Sequence, residues 1–278
     1  MEFIMSIIIG MDIGMSTCKI TGFSNDSLLI PVQKISGDFS DSEIIKTGIS
    51  EFLYTNKLKK QDIGKIMITG VGSSYISHDI EDIPTLHVAE FDANAAYGSY
   101  VCDSSKYIII SMGTGSSYVY IGPDGKKHLG GLALGGGTIQ GLSNIIFSDS
   151  DFEFIKALSQ EGNIRNIDLC MGDITKTEIP GLPSDITASN FAKAGGNEAH
   201  ADIAQGIVHM VIENILQTGA LIGKGYGVNT YVLMGGLAGY PQCHHISEQL
   251  KLLHKDIEFI IPKHSMFGSA IGAALLSK

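Results

Sequence analysis

A glycine-rich stretch before the middle of the chain constrains the fold more than any other feature. From Ile108 to Leu142 the sequence is IIISMGTGSSYVYIGPDGKKHLGGLALGGGTIQGL, in which short apolar runs alternate with glycines. Glycine lacks a Cβ, so its backbone amides can approach a ligand closely, and a helix that begins after glycines can direct its first N–H groups at an anion. The stretch therefore predicts strands joined by turns that bind phosphate.

A second turn of this kind is predicted near the N-terminus. Ile7–Met11 is an apolar run typical of a buried strand, and Asp12, Gly14, Ser16 and Lys19 follow it. In one interpretation the amides and hydroxyls bind phosphate while Asp12 holds Mg²⁺ directly or through water. An ordinary hairpin turn is the alternative. Together with the turns of the first stretch, this motif favours a protein that binds a nucleotide.

The predicted elements follow the same order in both halves of the chain. The first half has strands near residues 7–11, 19–23 and 28–35, a helix that ends near Tyr54, and a strand at Ile63–Thr69. The second half repeats the strands at Tyr107–Met112, Ser117–Ile121 and Lys127–Leu132, followed by a helix at Thr138–Ile146. This β-β-β-α-β order is that of ribonuclease H-like folds.

The sequence thus predicts an α/β protein with two ribonuclease H-like domains and a nucleotide cleft between them. We expect the N-terminal domain over residues 1–104, with a C-terminal helix of about residues 265–278 packed back on it. We expect the second domain, with helical additions, over residues 105–264. Two halves that face a cleft would bring both turns to one polyphosphate.

Two acids follow a short predicted strand at Thr85–Ala89. They are Glu90 and Asp92, and carboxylates at a strand end are candidates for a general base. The alternative for Asp92 is to cap a helix that begins at Ala93. No structural task is evident for Glu90.

The second half carries a third glycine turn. Thr230–Met234 predicts a buried strand that ends at Gly235 and Gly236, which either pass beneath an adenine or ribose or form a tight strand-to-helix connection. The segment from 201 to 223 predicts the longest helix, with His209 near its exposed side. Residues 185–191 predict a turn into a further helix.

Charge and cysteine spacing exclude several classes of function. The 278 residues carry a formal charge of −10, and no large Lys/Arg cluster interrupts the sequence, which argues against nucleic acid or an anionic membrane as partner. The apolar run Ile7–Met11 is interrupted by Asp12 and lacks a basic leader, so we expect it to be neither a signal peptide nor a membrane span. Four scattered cysteines without a C-x-x-C pair favour reduced thiols in a cytoplasmic protein and argue against a zinc or iron–sulfur site.

Several segments together resemble the actin-like ATPase superfamily, which includes hexokinase and acetate kinase. Over nearly the whole chain the sequence is more similar still to type II pantothenate kinases. The segments that carry this resemblance are GMDIGMSTCKI, AEFDANAAYG, SMGTGSSYVY, HLGGLALGGGTIQGL, SDITASNF and MFGSAIGAALL.

The resemblance implies ATP-dependent phosphorylation of the primary hydroxyl of pantothenate, or of a close relative such as pantetheine, as the first step of coenzyme A biosynthesis. It implies Glu90 as the general base, Asp12 as the Mg²⁺ residue, and a cytoplasmic homodimer. The nucleotide residues it implies are Asp12, Gly14, Ser16, Lys19, Gly113, Thr114, Gly115, Ser116, Gly135, Gly136, Gly137, Gln140, Gly235 and Gly236. The acceptor residues it implies are Glu90, Ser116, His128, Gly130 and Gly131.

Two positions depart from the pattern of that family. His128 stands where the family has an arginine that pairs with the carboxylate of pantothenate, and a histidine cannot form the bidentate fork of a guanidinium. Met15 stands in the first turn where the family commonly has glycine. Either binding of the carboxylate is weaker, or another cation substitutes, or the acceptor lacks that charge.

Two alternatives to the kinase remain. One is an ATP-binding regulator or activator built on the same fold, and the other is a pantothenate kinase-like paralogue whose substrate is altered or lost. Dehydratase activators share the Asp-x-Gly turn but need cysteines for a shared iron–sulfur cluster, and the scattered cysteines do not fit. Sugar kinases of the repressor-related family would carry a cysteine-rich zinc motif, which the sequence lacks.

Overall fold

The structure, a computed structural model, describes residues 6–14, 17–25, 27–35, 42–149, 151–177 and 179–277. It divides the chain into two compact units. Unit 1 comprises residues 1–103 and 262–278, and unit 2 comprises residues 104–261.

Unit 1 is built on a mixed sheet whose two central strands are almost entirely apolar. The elements of its first segment are β1 (Ile7–Ile13), β2 (Thr17–Ser24), β3 (Ser27–Leu28), β4 (Val32–Ile35), α1 (Ser42–Thr55), β5 (Ile63–Thr69), β6 (Thr85–His87) and α2 (Glu90–Val101). The strand order is β3-β2-β1-β5-β6, and β4 also pairs with β2. β1 runs antiparallel to β2 and parallel to β5. Its alternate residues Ile9 and Met11 are fully buried, as β-branched and apolar side chains of a central strand should be.

The single third strand predicted over residues 28–35 is wrong, because the chain is interrupted between β3 and β4. The side chain of Asn56 accepts a hydrogen bond from the Ile30 amide at 2.8 Å and donates one to the Ile30 carbonyl at 3.0 Å. Ile30 thus gives its backbone groups to a side chain instead of to a neighbouring strand, and Pro31 follows it.

Unit 2 is built on a second mixed sheet that packs against a long central helix. Its elements are β7 (Tyr107–Met112), β8 (Ser116–Gly122), β9 (Gly125–Leu132), α3 (Gly136–Phe147), α4 (Phe152–Glu161), β10 (Leu169–Cys170), α5 (Met171–Ile174), β11 (Thr187–Ser189), α6 (His200–Tyr226), β12 (Thr230–Met234), α7 (Pro241–Leu253) and β13 (Glu258–Ile260). The strand order is β13-β12-β7-β8-β9. The chain then returns to unit 1 as α8 (Gly268–Leu275).

The long helix α6 forms much of the core of unit 2. It is apolar and long enough to cross a membrane by length and composition, but 61% of its most apolar window is buried inside the structure. Ile207, Val211, Ile215 and their neighbours on the helix pack against the sheet strands, which is the environment of a core helix.

The two sheets share one topology, which confirms the predicted repeat. Each has a central strand that is antiparallel to its successor and parallel to a later strand. In unit 1 Asp12 pairs with Thr69, and Gly70 follows Thr69. In unit 2 Ser111 pairs with Met234, and Gly235 follows it. Ser111 therefore occupies in unit 2 the position that Asp12 occupies in unit 1, and both units are ribonuclease H-like.

Two local predictions are wrong. Helix α2 begins at Glu90 and not at Ala93; its N-cap is Ala89, which makes no side-chain cap hydrogen bond, so Asp92 is not the capping residue. Residues 185–191 do not lead into a helix, because Thr187–Ser189 forms the short strand β11 opposite β10.

Candidate active site

An ion pair lies at the end of the central strand of unit 1. Asp12 on β1 is directly opposite Lys19 on β2, and the Nζ of Lys19 is 3.5 Å from the Oδ2 of Asp12. Each side chain is 14% exposed, so the pair is mostly withdrawn from water. A pair with this much burial is screened less by solvent than an exposed one.

Glu90, the first residue of α2, belongs to the same electrostatic environment. Its side chain is exposed at the surface, yet surrounding protein atoms displace enough water to raise its pKa above the usual glutamate value. Repulsion from Asp12 raises the pKa further, and attraction to Lys19 opposes the rise. Asp12 and Lys19 thus form an ion pair, and both charges act on the carboxyl of Glu90; we call these three residues the acid cluster.

Gly70, which follows β5, lies directly against the carboxylate of Asp12. Gly70 has a φ of +86°, and a Cβ built on it would lie 2.5 Å from the Oδ1 of Asp12 and 2.6 Å from the Ile13 carbonyl oxygen. Any side chain here would displace the carboxylate, so glycine is required on both steric and backbone grounds. In the sequence Gly70 directly follows the predicted strand at Ile63–Thr69, and nothing in the pattern indicates its contact with Asp12.

The predicted first phosphate turn is described only in part. The Gly14 amide donates to the Thr17 carbonyl at 3.0 Å, so it is engaged within the turn. Ser16 and Met15 lie outside the described residues.

In unit 2 two of the predicted glycine segments form one structure. The turn from Gly113 to Gly115 joins β7 to β8 and packs on the start of α3. The Gly136 amide donates to the Gly113 carbonyl at 2.8 Å, and the Gly137 amide donates to the Thr114 carbonyl at 2.9 Å. These first amides of α3 are therefore paired within the protein, and the expectation that the helix offers them to an anion is wrong for both.

Close backbone contact explains the glycines of this structure. A Cβ on Gly135 would lie 2.5 Å from the Thr114 carbonyl oxygen and 2.7 Å from that of Gly113. Gly235, with a φ of +95°, would place a Cβ 2.5 Å from the Met112 carbonyl oxygen. Three glycine segments thus converge on the end of β7. Ser116 begins β8 opposite Met112, Gly236 follows Gly235, and Gln140 lies one turn into α3.

The predicted acceptor residues of β9 fall into two places. Gly131 pairs with Ser117 next to the turn, and Gly130, with a φ of +111°, adjoins a bulge in the strand. His128 lies beyond the bulge opposite Val119, three residues along β8 from Ser116, which is about 10 Å at the rise of a strand. The structure therefore groups Gly130 and Gly131 with the turn and sets His128 farther along the sheet.

The lysines beside His128 lie on opposite faces of the sheet. Lys127 pairs with Tyr120, and its Nζ lies 5.7 Å from the centre of the Tyr226 ring. Lys126 pairs with Ile121, two residues along β8 from the partner of His128, so it shares a face with His128.

The prediction of a surface His209 is wrong. His209 is 2% exposed, and its Nε2 lies 3.2 Å from the Thr187 hydroxyl and 3.6 Å from the Oε2 of Glu213. Asn190 donates to Glu213 at 3.2 Å and to the fully buried Asp168 at 3.1 Å. This polar network joins α6 to the segment around β11. In the sequence, only the motif SDITASNF, one of the segments similar to type II pantothenate kinases, indicates that this segment matters.

No preformed protein cage for a metal is present in the described part of the chain, where no group of three or more His, Cys, Asp or Glu side chains could hold an ion. The four cysteines are buried and free. Magnesium needs no such cage, since it commonly takes one or two carboxylates together with substrate phosphates.

Sequence comparison decides the family. The family model described as Fumble matches residues 99–276, which is well over half of the chain. The chain belongs to the Fumble family. The matched range contains all of unit 2 and also helix α8, but it begins after Asp12 and Glu90.

A curated relative of this Fumble family member is the type II pantothenate kinase of Staphylococcus aureus (strain USA300). It is 34% identical over 140 residues, which are 48% of this chain and 52% of the relative. The chain therefore spans about half the length of the curated relatives it matches.

Solved structures support the fold over nearly the full length. The activator of 2-hydroxyisocaproyl-CoA dehydratase from Clostridium difficile with bound ADPNP has a TM-score of 0.67 at 19% identity, covering 97% of this chain and 93% of the other. A ROK family glucokinase from Streptomyces griseus in complex with glucose and AMPPNP has a TM-score of 0.57 at 12% identity, covering 98% and 99%.

Proposed function

We propose that this Fumble family member is an ATP-dependent kinase that phosphorylates the primary hydroxyl of pantothenate or of a close relative such as pantetheine. The proposal is carried by the Asp12–Lys19 ion pair at the end of the central strand of unit 1 and by the effect of both charges on the pKa of Glu90. Family membership and the pantothenate kinase relative support the choice of substrate class.

Glu90 is proposed as the general base that accepts the proton of the acceptor hydroxyl. Phosphoryl transfer asks the protein mainly to position the two reactants and to stabilise charge. A carboxylate with a raised pKa is a stronger base, so its ionised form accepts a proton more readily than an ordinary carboxylate does. The opposing influence of Lys19 keeps that pKa from rising further.

Asp12 is proposed to hold Mg²⁺, directly or through water. The fit rests on the carboxylate, which is 14% exposed, and on Gly70, which places no side chain against the Oδ1 of Asp12. When bound with ATP, the ion would neutralise charge on the phosphates. Lys19, Gly14 and Ser16 are proposed to complete the phosphate site of this unit.

The converging glycine segments of unit 2 are proposed to line the nucleotide. They comprise Gly113, Thr114, Gly115 and Ser116, then Gly135, Gly136, Gly137 and Gln140, and finally Gly235 and Gly236. Because several of their amides are paired inside the protein, we assign them chiefly to shape: glycines let the backbone approach the nucleotide without side chains in the way. The ATP analogues named for the two fold neighbours agree with this assignment.

Acceptor choice is proposed to depend on His128. Gly130 and Gly131 would border the acceptor beside Ser116, while His128 lies about 10 Å farther along the sheet. An imidazole lacks the planar fork of a guanidinium and cannot bind a carboxylate with two parallel hydrogen bonds. We therefore propose that pantothenate binds less tightly here than an uncharged analogue such as pantetheine.

The proposal also covers the cellular location, the oligomeric state and the partners of the enzyme. We propose a cytoplasmic homodimer that acts at the first step of coenzyme A formation and binds neither nucleic acid nor membrane. The acidic charge of −10 and the four buried, free cysteines support this setting. The same cysteines disfavour the activator alternative, because buried and scattered thiols are poorly placed to hold a shared iron–sulfur cluster.

A coupled assay of ADP release tests the proposal. The natural protein is supplied with Mg²⁺ and ATP and with pantothenate, pantetheine or a panel of sugars, beside the variant Glu90→Gln. We expect pantothenate or pantetheine to stimulate ADP release at least tenfold over background and the variant to lose that stimulation. If no small hydroxyl compound stimulates release, the kinase function is refuted and the regulator alternative is favoured.

A further inference from the structure

Helix α8 lies between the sheet of unit 1 and helix α2, with unusually close backbone contact on both sides. On the sheet side, a Cβ on Gly10 of β1 would overlap the carbonyl oxygen of Ala270. On the other side, a Cβ on Gly272 would overlap the carbonyl oxygen of Ala93 in α2. The packing is tight enough that neither neighbour can shift without disturbing α8.

A buried hydrogen bond also joins α8 to α2. The Ser269 hydroxyl donates to the Oδ1 of Asn94 at 2.9 Å, with Ser269 7% exposed and Asn94 fully buried. Asn94 lies four residues after Glu90 and so on the same face of α2. The bond therefore fixes the rotation and the axial position of the helix whose first residue is Glu90.

The same helix reaches both carboxylates of the acid cluster. It contacts β1 at Gly10, two residues before Asp12, and it contacts α2 at Ala93 and Asn94, within one turn of Glu90. Helix α2 packs mainly against α8, with a small apolar contact among Met67, Ala93 and Ala273 beside it. Helix α8 thus connects the strand that carries Asp12 with the helix that carries Glu90, and its position sets the distance between the two carboxyl groups.

We infer that the C-terminal helix α8 is the positioning element of the active site. In this inference Ser269 and Gly272 are positioning residues that fix the location of Glu90 relative to Asp12. This inference rests on the proposed function, because it assigns Glu90 the role of base. A displacement of about 1 Å at a reacting group can cost about a hundredfold in rate, so loss of a single interhelical bond should be measurable in turnover.

The inference is tested with Ser269→Ala and a matched control, Ser247→Ala. The Ser247 hydroxyl is also buried, but it bonds the Cys243 carbonyl of its own helix α7 at 2.7 Å, so its loss leaves α2 untouched. Turnover with the stimulating acceptor, the KM for ATP and amide hydrogen exchange over residues 88–101 are compared in the full-length proteins.

For Ser269→Ala we expect kcat to fall about tenfold or more, the KM for ATP to change less than about twofold, and exchange in α2 to quicken. Ser247→Ala should leave kcat and α2 exchange unchanged at a comparable loss of Tm. A second pair, Gly272→Ala against Gly225→Ala, probes the backbone contact, since a Cβ on Gly225 of α6 meets nothing within 4 Å.

The outcomes separate this inference from the proposed function. If the natural protein turns over but Ser269→Ala keeps its kcat and its α2 exchange, α8 is not a positioning element. If the natural protein has no turnover, the kinase function is refuted. Amide hydrogen exchange over residues 88–101 then tests the positioning role by itself: if exchange in Ser269→Ala equals that of the natural protein, Ser269 does not hold α2 in place.

Discussion

The carboxylate of Asp12 occupies the space that a side chain on Gly70 would need. A Cβ on Gly70 would lie 2.5 Å from the Oδ1 of Asp12, and the φ of +86° adds backbone strain for any other residue. We expect Gly70→Ala to lower the free energy of unfolding by about 2–4 kcal/mol and to abolish turnover, measured by urea denaturation and the coupled assay.

Gly181→Ala is the control for this change. Gly181 has a similar φ of +80°, but a Cβ there meets nothing within 4 Å. It should show the cost of the backbone conformation alone, about 1–2 kcal/mol, with turnover intact. Equal effects of the two substitutions would mean that the contact with Asp12 is unimportant.

Replacement of Glu90 by glutamine should remove the proposed base while keeping the size of the side chain. We expect kcat to fall about 10²–10⁴-fold, with little change in the KM for ATP. In the natural protein kcat should decline as the pH falls through the raised pKa of Glu90, above the ordinary glutamate value. A variant with kcat within threefold of the natural protein would exclude Glu90 as the base.

The same substitution should have the opposite effect on stability. Because the pKa of Glu90 is raised in the folded state, its contribution to stability is full below the unfolded pKa and is lost as the pH rises through the folded pKa. At pH 7 Glu90→Gln should therefore raise Tm, and the gain should shrink toward zero as the pH approaches the ordinary glutamate range. Glu153→Gln, also in the first turn of a helix, serves as control and should give no such gain.

Lys19 offers an independent test of the acid cluster. Its charge lowers the pKa of Glu90, so Lys19→Met should move the acidic limb of the kcat profile to higher pH. Lys19→Arg keeps the positive charge near Asp12 and should leave the limb close to its natural position. The measurement is kcat at saturating ATP across the pH range, and coincident profiles for all three proteins would contradict the cluster.

Much of the fold could be predicted from the sequence because its strands are short apolar runs that end at glycines. Tyr107–Met112 and Ile63–Thr69 have the bounds that the pattern indicates. The contact between Gly70 and Asp12 could not be predicted, because parallel pairing of β1 with β5 joins residues far apart in the chain. A pattern shows that a glycine turn exists, but only the sheet register shows what the turn touches.

His209 illustrates the opposite difficulty. Helical periodicity predicts that a histidine lies on the solvent-exposed face of an amphipathic helix. In α6, however, the segment that carries Thr187 and Asn190 covers the side of the helix where His209 lies. Thr187 lies within hydrogen-bond distance of the imidazole, and Asn190 donates to Glu213 beside it, so the buried ring has polar surroundings. Thr187 and Asn190 come from a segment distant in the sequence, so helical periodicity alone could not place the side chain of His209.

The last prediction concerns the choice of acceptor. His128→Arg introduces a permanent charge and a bidentate donor on the face of β9 that also carries Lys126. We expect the KM for pantothenate, which has a carboxylate, to fall about tenfold, and the KM for pantetheine, which has none, to stay within about twofold. Lys127→Arg is the matched control, because Lys127 lies on the other face over Tyr226 and should change neither value. If His128→Arg lowered the KM for both acceptors equally, or for neither, His128 would not control recognition of the carboxylate. The choice of acceptor would then have to depend on the residues near the turn, such as Gly130 and Gly131.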